Sequence, residues 1–363
     1  MELFHKILNT AVEGGASDVH IKPDAPVVYR ISSQLVEAEM SQQPDEQWLG
    51  NVINNIVPTQ FKPKLDEDRE IDFSYNVPGI GRFRTNCFQH LGKWCLAMRH
   101  VVADVPKIDS LGLPEIIKSI AEEHRGIVLV AGTTGCGKST TLAGMIDHIN
   151  STQKRHIITI EDPVEYVFKD KNCIIEQREV GLDTPSYQHS LKHVMRQDPD
   201  VIMIGEMRDL ETARIAIQSA LTGHLVLSTL HTNDAVSAVN RLVDMGVEPF
   251  LLASSLLGVL AQRLVRRLCP PCKQPDPTAP GAWRPVGCAQ CNQVGYSGRT
   301  GIHELFYVDD AVRGLIHQGA GEQDLRVAAC RAGMFSLRED GERWVRSGTT
   351  APEEILRVTR DAG

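Results

Sequence analysis

The sequence predicts an α/β chain in two parts, a smaller α+β domain followed by a larger domain organised around a parallel-containing sheet. Its 363 residues are 42% hydrophobic and 23% charged, enough apolar material for two cores. Short β-branched runs recur between helical stretches of the second part: GIVLVAG (126–132), HIITIED (156–162), VIMIGE (201–206) and HLVLSTL (224–230). Near-continuous apolar strands alternating with helices are what a parallel sheet covered on both faces requires. A glycine-rich loop joining the first of these runs to a helix completes the pattern.

Residues 1–102 open with a short helical stretch and then alternate polar and apolar residues in VVYRI (27–31) and RFRTNCF (82–88), as half-exposed strands do. In ADVPKIDSLGLP (103–114) two prolines and a glycine remove helix and ladder options, so a linker is expected over 103–116. The second domain then occupies 117–363, with a Pro- and Cys-rich insert at 268–298, a strand-like RTGIHELF and a helical tail at 309–363.

The formal net charge of −8 leaves no broad excess of Lys and Arg, and no nucleic-acid partner is expected. The longest apolar run, Phe250–Ala261, is 12 residues and is stopped by Gln262 and Arg263. A bilayer span needs about 20. The opening MELFHKILNTAVEGG has no apolar stretch followed by a small-residue cleavage site, so the chain is expected in the cytoplasm with any membrane contact peripheral.

Gly132-Thr133-Thr134-Gly135-Cys136-Gly137-Lys138-Ser139, followed by Thr140, is a complete G-x-x-x-x-G-K-[ST] loop between a strand and a helix. Its glycines let backbone N–H groups wrap phosphates, Lys138 supplies a point charge, and the Ser139 hydroxyl suits Mg²⁺, so ATP and Mg²⁺ are the expected ligands. The second run ends in Glu161 and Asp162, with Glu165 just beyond, at the strand edge where ligands of open α/β sheets bind. One of these acids is a candidate to orient the attacking water. The third ends in Glu206, the acid that an apolar strand of Walker B type presents to a Mg²⁺ water shell. His224 and His231 bracket the fourth. Cys269-x₂-Cys272 and Cys288-x₂-Cys291 are separated by 15 residues, a spacing that suits a structural tetrahedral Zn²⁺ site.

In this order GTTGCGKST, TIEDPVEY, DVIMIGEMRD and TGHLVLSTLHTNDA resemble the Walker A, Asp-box, Walker B and His-box elements of the secretion ATPases of type II secretion and type IV pilus machines, the GspE/PilB/PilT family. ASDVHI (16–21) is similar to the N-terminal domain of the same family. The resemblance covers nearly the whole chain. It implies a RecA-like ATPase domain preceded by a PAS-like domain, with Lys138 and Ser139 on phosphate and Mg²⁺ and Glu165 as the water-activating base. Glu206 would meet the metal directly or through water, and His224 and His231 would form the His box. It further implies a homohexameric motor that passes force to an inner-membrane platform protein in type IV pilus assembly or retraction, or in type II secretion. A nucleotide-binding accessory or regulatory subunit of a partner pilus motor is the alternative. A RecA-like helicase or packaging ATPase would call for a basic groove or stacking aromatics, and only 5% of residues are aromatic.

Two features depart from the family pattern. RISSQL (30–35) stands where an Arg-Val-Asp-Gly-type turn is expected. The front of the chain looks like the short retraction motors, whereas LAQRLVRRLCPPCK followed by GYSGRTGIHELF looks like the tetracysteine region of assembly and secretion ATPases. No arginine in the motifs is clearly placed for the γ phosphate apart from Arg208. Arg82 and Arg84 sit on alternate residues of one expected strand, hence on one face, with Arg99 on the next segment, LAMRHV. In the resembling family the N-terminal domain leans over a neighbour's nucleotide, which would make these arginines trans-acting fingers.

Overall fold

The computed structural model describes residues 1–31, 34–40, 43–101 and 105–359. The chain forms two compact units, Met1–Asp104 with Pro163–Val167, and Val105–Asp162 with Phe168–Gly363.

The first unit is α+β. Its elements are α1 (Glu2–Glu13), β1 (Ala16–Ile21), β2 (Val28–Ile31), β3 (Gln34–Glu37), α2 (Glu46–Ile56), α3 (Lys62–Asp68), β4 (Glu70–Val77), β5 (Gly81–His90) and β6 (Lys93–Val101). The strands form an antiparallel sheet in the order β3-β2-β1-β6-β5-β4. Apolar residues at helical spacing, Phe4 and Leu8 on α1 and Leu49 and Ile53 on α2, pack with Val19, Phe83 and Met98 of the sheet. Asp45 caps α2 by accepting the Trp48 N–H at 2.7 Å. β2 and β3 pair through Ile31 and Gln34, while Ser32 and Ser33 of the anomalous RISSQL turn lie outside the described residues.

The second unit runs α4 (Ile116–Ala121), β7 (Gly126–Ala131), α5 (Lys138–Thr152), β8 (His156–Glu161), β9 (Ile174–Glu179), α6 (Tyr187–Val194), β10 (Val201–Ile204), α7 (Leu210–Leu221), β11 (Leu225–Leu230), α8 (Ser237–Asp244), α9 (Pro249–Ser255), β12 (Leu256–Leu268), β13 (Gln274–Pro275), β14 (Trp283–Arg284), β15 (Tyr296–Tyr307) and α10 (Asp310–His317). The tail follows as α11 (Glu322–Arg331), α12 (Leu337–Arg346) and α13 (Pro352–Thr359). A mixed sheet orders its strands β15-β12-β7-β11-β10-β8-β9, parallel except for the β12–β15 pair. Every residue of β7, β10 and β11 is buried, because helices cover both faces. Ile127, Leu129 and Ala131 serve one core and Val128 and Val130 the other, the period-2 alternation of a strand.

The linker expected over 103–116 needs correction. Residues from Val105 onward belong to the second unit: Ile108–Leu111 forms a 3₁₀ turn, and Ile108 is buried with Ile117, Leu142 and Met145. Gly144 of α5 makes room, since a Cβ there would stand 2.8 Å from Leu111 Cδ1. The prolines stop regular ladders but leave the apolar side chains free to bury. The apolar run Phe250–Ala261 divides at Leu256 into α9 and the start of β12, because β12 finds β7 on one side and β15 on the other. The mostly polar stretch IIEQRE forms the edge strand β9, which needs no continuous apolar run because it is paired only with β8.

Candidate active site

Gly132 to Gly137 leave β7 and enter α5, the position where an open α/β sheet offers a crevice at its strand ends. Gly135 and Gly137 adopt φ of +77° and +92°, which glycine takes without strain. Lys138 is 9% exposed, and its Nζ donates to the carbonyl oxygens of Gly132 at 2.9 Å and Thr133 at 3.2 Å. The ammonium is thus folded onto the loop at the N-terminus of a 15-residue helix, where backbone N–H groups and the helix dipole favour an anion. Thr133 and Thr134 are exposed, Cys136 is buried, and Ser139 and Thr140 are half-buried on the first turn of α5.

The parallel register brings the remaining motifs of this unit to the same edge. Ile204 is level with Ile160 and Ser228, so Glu206, Glu161 and the segment after β11 emerge together. His231 Nε2 lies 3.2 Å from Glu206 Oε1, and Arg208 Nε donates to Glu206 Oε2 at 2.7 Å. Glu206 therefore sits between a histidine and a guanidinium. Glu161 is buried and accepts from Thr159 Oγ1 at 2.6 Å and Gln177 Nε2 at 3.1 Å, whereas Asp162 is exposed. Glu165 is exposed and lies on Pro163–Val167, the stretch that groups with the first unit.

His224 is not brought to this edge. It precedes β11, at the amino-terminal end, where its Nδ1 meets the Ser219 carbonyl oxygen at 2.8 Å and its own carbonyl accepts the Gly126 N–H. About 20 Å of strand separates it from His231 at ~3.3 Å per residue. A spacing of seven puts both histidines at strand ends, but at opposite ones.

Sequence patterns gave no reason to single out Tyr187. A Cβ on Gly205 would stand 2.8 Å from its hydroxyl, so Gly205 is what lets the phenol pack against the backbone just before Glu206. Burial, reinforced by Asp162, Glu206 and Glu161, pushes the phenol above its ordinary range. Gln262 and Arg263, which the sequence showed as the polar stop after an apolar run and as part of LAQRLVRRLCPPCK, also reach this edge. Gln262 bonds Cys136 and Thr141, and Arg263 bonds Asn233.

The four sulfurs of Cys269, Cys272, Cys288 and Cys291 lie within 4.8 Å of one another. Contacts of 3.8, 3.8 and 3.7 Å join Cys269 to Cys288, Cys272 to Cys291, and Cys288 to Cys291. A tetrahedron of Zn–S bonds of ~2.3 Å has an edge of ~3.8 Å, so the donor set fits that ion. Desolvation raises the Cys291 thiol, but N–H groups of Cys288 and Gly295, each 3.2 Å from the sulfur, help bring it down to about 6. Such N–H···S bonds favour the thiolate that a metal needs.

In the first unit Arg84 lies directly across from Arg99, Arg99 across from Asp18, and Asp18 across from Arg30, a row spanning β5, β6, β1 and β2. Arg82, two residues from Arg84 on β5, shares this outer face. Arg99 Nε donates to Asp18 Oδ1 at 2.8 Å, and Arg30 Nε is 3.8 Å from Asp18 Oδ2. Arg84 is exposed opposite a like charge.

A mixed, largely parallel sheet with a glycine-rich loop leading from β7 into α5, an acid just after β10 and a histidine facing that acid places the second unit in the α/β class of RecA-like build. The chain belongs to the Type II/IV secretion system protein family, whose profile matches residues 1–357, and is a motor ATPase of the secretion or pilus kind. It is 46% identical over 379 residues to the type II secretion system protein HxcR of Pseudomonas aeruginosa, covering 100% of this chain and 78% of that protein. It is 40% identical over 389 residues to the type II secretion system ATPase E of Vibrio cholerae, covering 100% of this chain and 76% of that one. The crystal structure of the pilus retraction motor PilT with bound ADP matches with a TM-score of 0.85 at 35% identity, covering 98% of this chain and 96% of that one. The fold is also that of the Legionella pneumophila ATPase DotB, with a TM-score of 0.81 at 23% identity over 100% of this chain and 96% of that one. Among the described residues no helix is long and apolar enough to cross a membrane.

Proposed function

We propose that this chain is an Mg²⁺-dependent, ATP-hydrolysing motor that works as a homohexamer in the cytoplasm, peripheral to the inner membrane, against a platform protein of a secretion or pilus machine. The observation that carries the reading is the convergence of Lys138, Ser139, Glu206 and His231 at one sheet edge. Type II secretion is the favoured process, because relatives similar over the whole chain bear that name and the tetracysteine lobe fits a structural Zn²⁺.

Lys138 holds the β and γ phosphates of ATP in register, and the loop N–H groups share their charge. The hydroxyl of Ser139 and the carboxylate of Glu206, hard oxygen donors, would hold Mg²⁺, which supplies neutralisation of phosphate charge. Because Glu206 already accepts from Arg208 and faces His231, a water-bridged role suits it. Glu165 takes a proton from the attacking water, and His231 responds to the γ phosphate through Glu206. Of the three arginines proposed to act on a neighbour's nucleotide, Arg99 is held by Asp18, which leaves Arg84 the more available. Two guanidiniums directly opposite on a sheet oppose folding, a reason to expect a use for the second.

Phosphate release by the purified chain tests the reading. Lys138→Ala should abolish binding and turnover, while Glu165→Gln should keep binding and stop turnover. Arg84→Ala mixed with Lys138→Ala subunits should recover activity. Lack of recovery after confirmed subunit exchange would count against the trans role, and wild-type binding without turnover would favour an accessory subunit.

A further inference from the structure

β7 lies between β12 and β11, and the three strands are level at Ala261, Ala131 and Leu230. One residue further on come Gln262, Gly132 and His231. β12 is apolar and buried from Val259 to Ala261, and then places two polar side chains at this level, Gln262 at 2% and Arg263 at 8% exposure.

Both are held by the loops around them. Gln262 Nε2 donates to the Cys136 carbonyl oxygen at 2.7 Å, and its Oε1 accepts from Thr141 Oγ1 at 2.7 Å. One amide thereby grips the chain on either side of Lys138, in the loop and on the first turn of α5. Arg263 Nη1 donates to the Gln262 carbonyl oxygen at 3.0 Å, and Nη2 donates to the Asn233 carbonyl oxygen at 2.8 Å and Oδ1 at 3.3 Å. The guanidinium crosses over the end of β7, where a Cβ on Gly132 would come within 3.1 Å of Nη1. No carboxylate is within ion-pair distance of Arg263 among the described residues.

A buried guanidinium neutralised only by amide oxygens is costly, and an apolar side chain would serve packing better. The contacts of the two residues have a direction: Gln262 bonds the phosphate loop, and Arg263 ties the same turn of β12 to the loop that carries His231. On its far side that second loop is anchored to other elements, Asp234 by Arg326 at 3.0 Å and the Ala235 N–H by Glu304 at 2.8 Å.

We infer that Gln262 and Arg263 are positioning residues for hydrolysis, a strap that makes the phosphate loop and the His-box loop one rigid piece. It keeps Lys138 at a fixed separation from the His231–Glu206 pair. This rests on ATP hydrolysis at the site proposed above.

The test is a double-mutant cycle on the full chain. ATP turnover and equilibrium binding of a fluorescent ADP analogue are measured for wild type, Arg263→Met, His231→Ala and the double variant. Arg263→Met should lower kcat by about 10- to 100-fold while KM and ADP affinity change by less than about threefold, the mark of misplaced rather than missing groups. In the His231→Ala background the same substitution should cost less than about threefold, because the group it positions is already gone. Gln262→Met, a neutral swap of similar volume, should show the same kcat–KM split and serves if Arg263→Met does not fold. Fully multiplicative losses in the double variant, or a loss of ADP affinity with kcat kept, would overturn the strap. Absence of turnover in the wild type would instead overturn the reaction on which it rests.

Discussion

Replacing Glu354 by glutamine should loosen the joint between α13 and β12, the strand that carries Gln262 and leads into Cys269. The Glu354 side chain is 1% exposed. It accepts from the Arg266 N–H at 2.9 Å, Arg266 Nη2 at 2.7 Å, Arg357 Nε at 2.9 Å and Arg357 Nη2 at 2.8 Å. Desolvation pushes the carboxyl up, but these donors outweigh it and hold the group at about 2, against an ordinary 4.5. A carboxyl held that far below its ordinary range stabilises the fold by at most about 3 kcal/mol. Both guanidiniums are about half exposed, and screening reduces this to about 2 kcal/mol. The folded chain holds fewer protons here than the unfolded one, so the stabilisation is complete above pH ~4.5 and is lost as the pH falls towards 2. Urea unfolding can be followed by the fluorescence of Trp283 and Trp344, with Trp48 and Trp94 changed to phenylalanine. Trp344 reports this region because its Nε1 donates to the Gly301 carbonyl oxygen at 3.0 Å. Glu354→Gln should be less stable by about 2 kcal/mol at pH 7, with the difference shrinking below pH 4.5 as the wild-type carboxylate is protonated. Equal stabilities at pH 7, or a difference that does not shrink, would refute the reasoning.

The two histidines should separate in turnover assays: His231→Ala lowers kcat by about 10-fold or more, whereas His224→Ala changes it by less than about threefold and costs about 1 kcal/mol of stability through the lost bond to Ser219. Equal losses of turnover would contradict their placement at opposite strand ends. Gly132→Ala should weaken ADP binding by about 10-fold or more with an unchanged far-ultraviolet circular dichroism spectrum. Its methyl group would stand 2.5 Å from Cys136 Sγ and 2.7 Å from the Gln262 carbonyl oxygen, at a φ of +148°. Metal analysis should find one zinc per chain, and Cys272→Ser should release it and speed proteolysis within 269–295 while ADP binding persists. Protein purified without chelator that holds well under one zinc would exclude the site.

Local sequence carried the α/β class and the phosphate loop, because both are written in short-range chemistry. Four buried strands need continuous β-branched runs, and a loop that wraps phosphate needs Gly132, Gly135, Gly137 and Lys138 at fixed spacing. The paired cysteines were equally legible, since ligand spacing is itself a short-range property. Edge strand β9 was not, because a strand paired only with β8 carries no continuous apolar run, and neither was the division of Phe250–Ala261, which depends on β7 and β15 pairing with β12. The candidate site divides along the same line. Sequence spacing placed His224 and His231 at strand ends, but strand direction decided which of them meets Glu206. Tyr187 belongs to no motif, and Gln262 and Arg263 lie in a stretch that gave no sign of the phosphate-loop edge, because their partners are at long range: Gln262 is 126 residues from Cys136, and Arg263 is 30 from Asn233. A side chain whose role is set by register across three strands leaves no periodic trace in its own neighbourhood, so only the folded sheet shows what it holds.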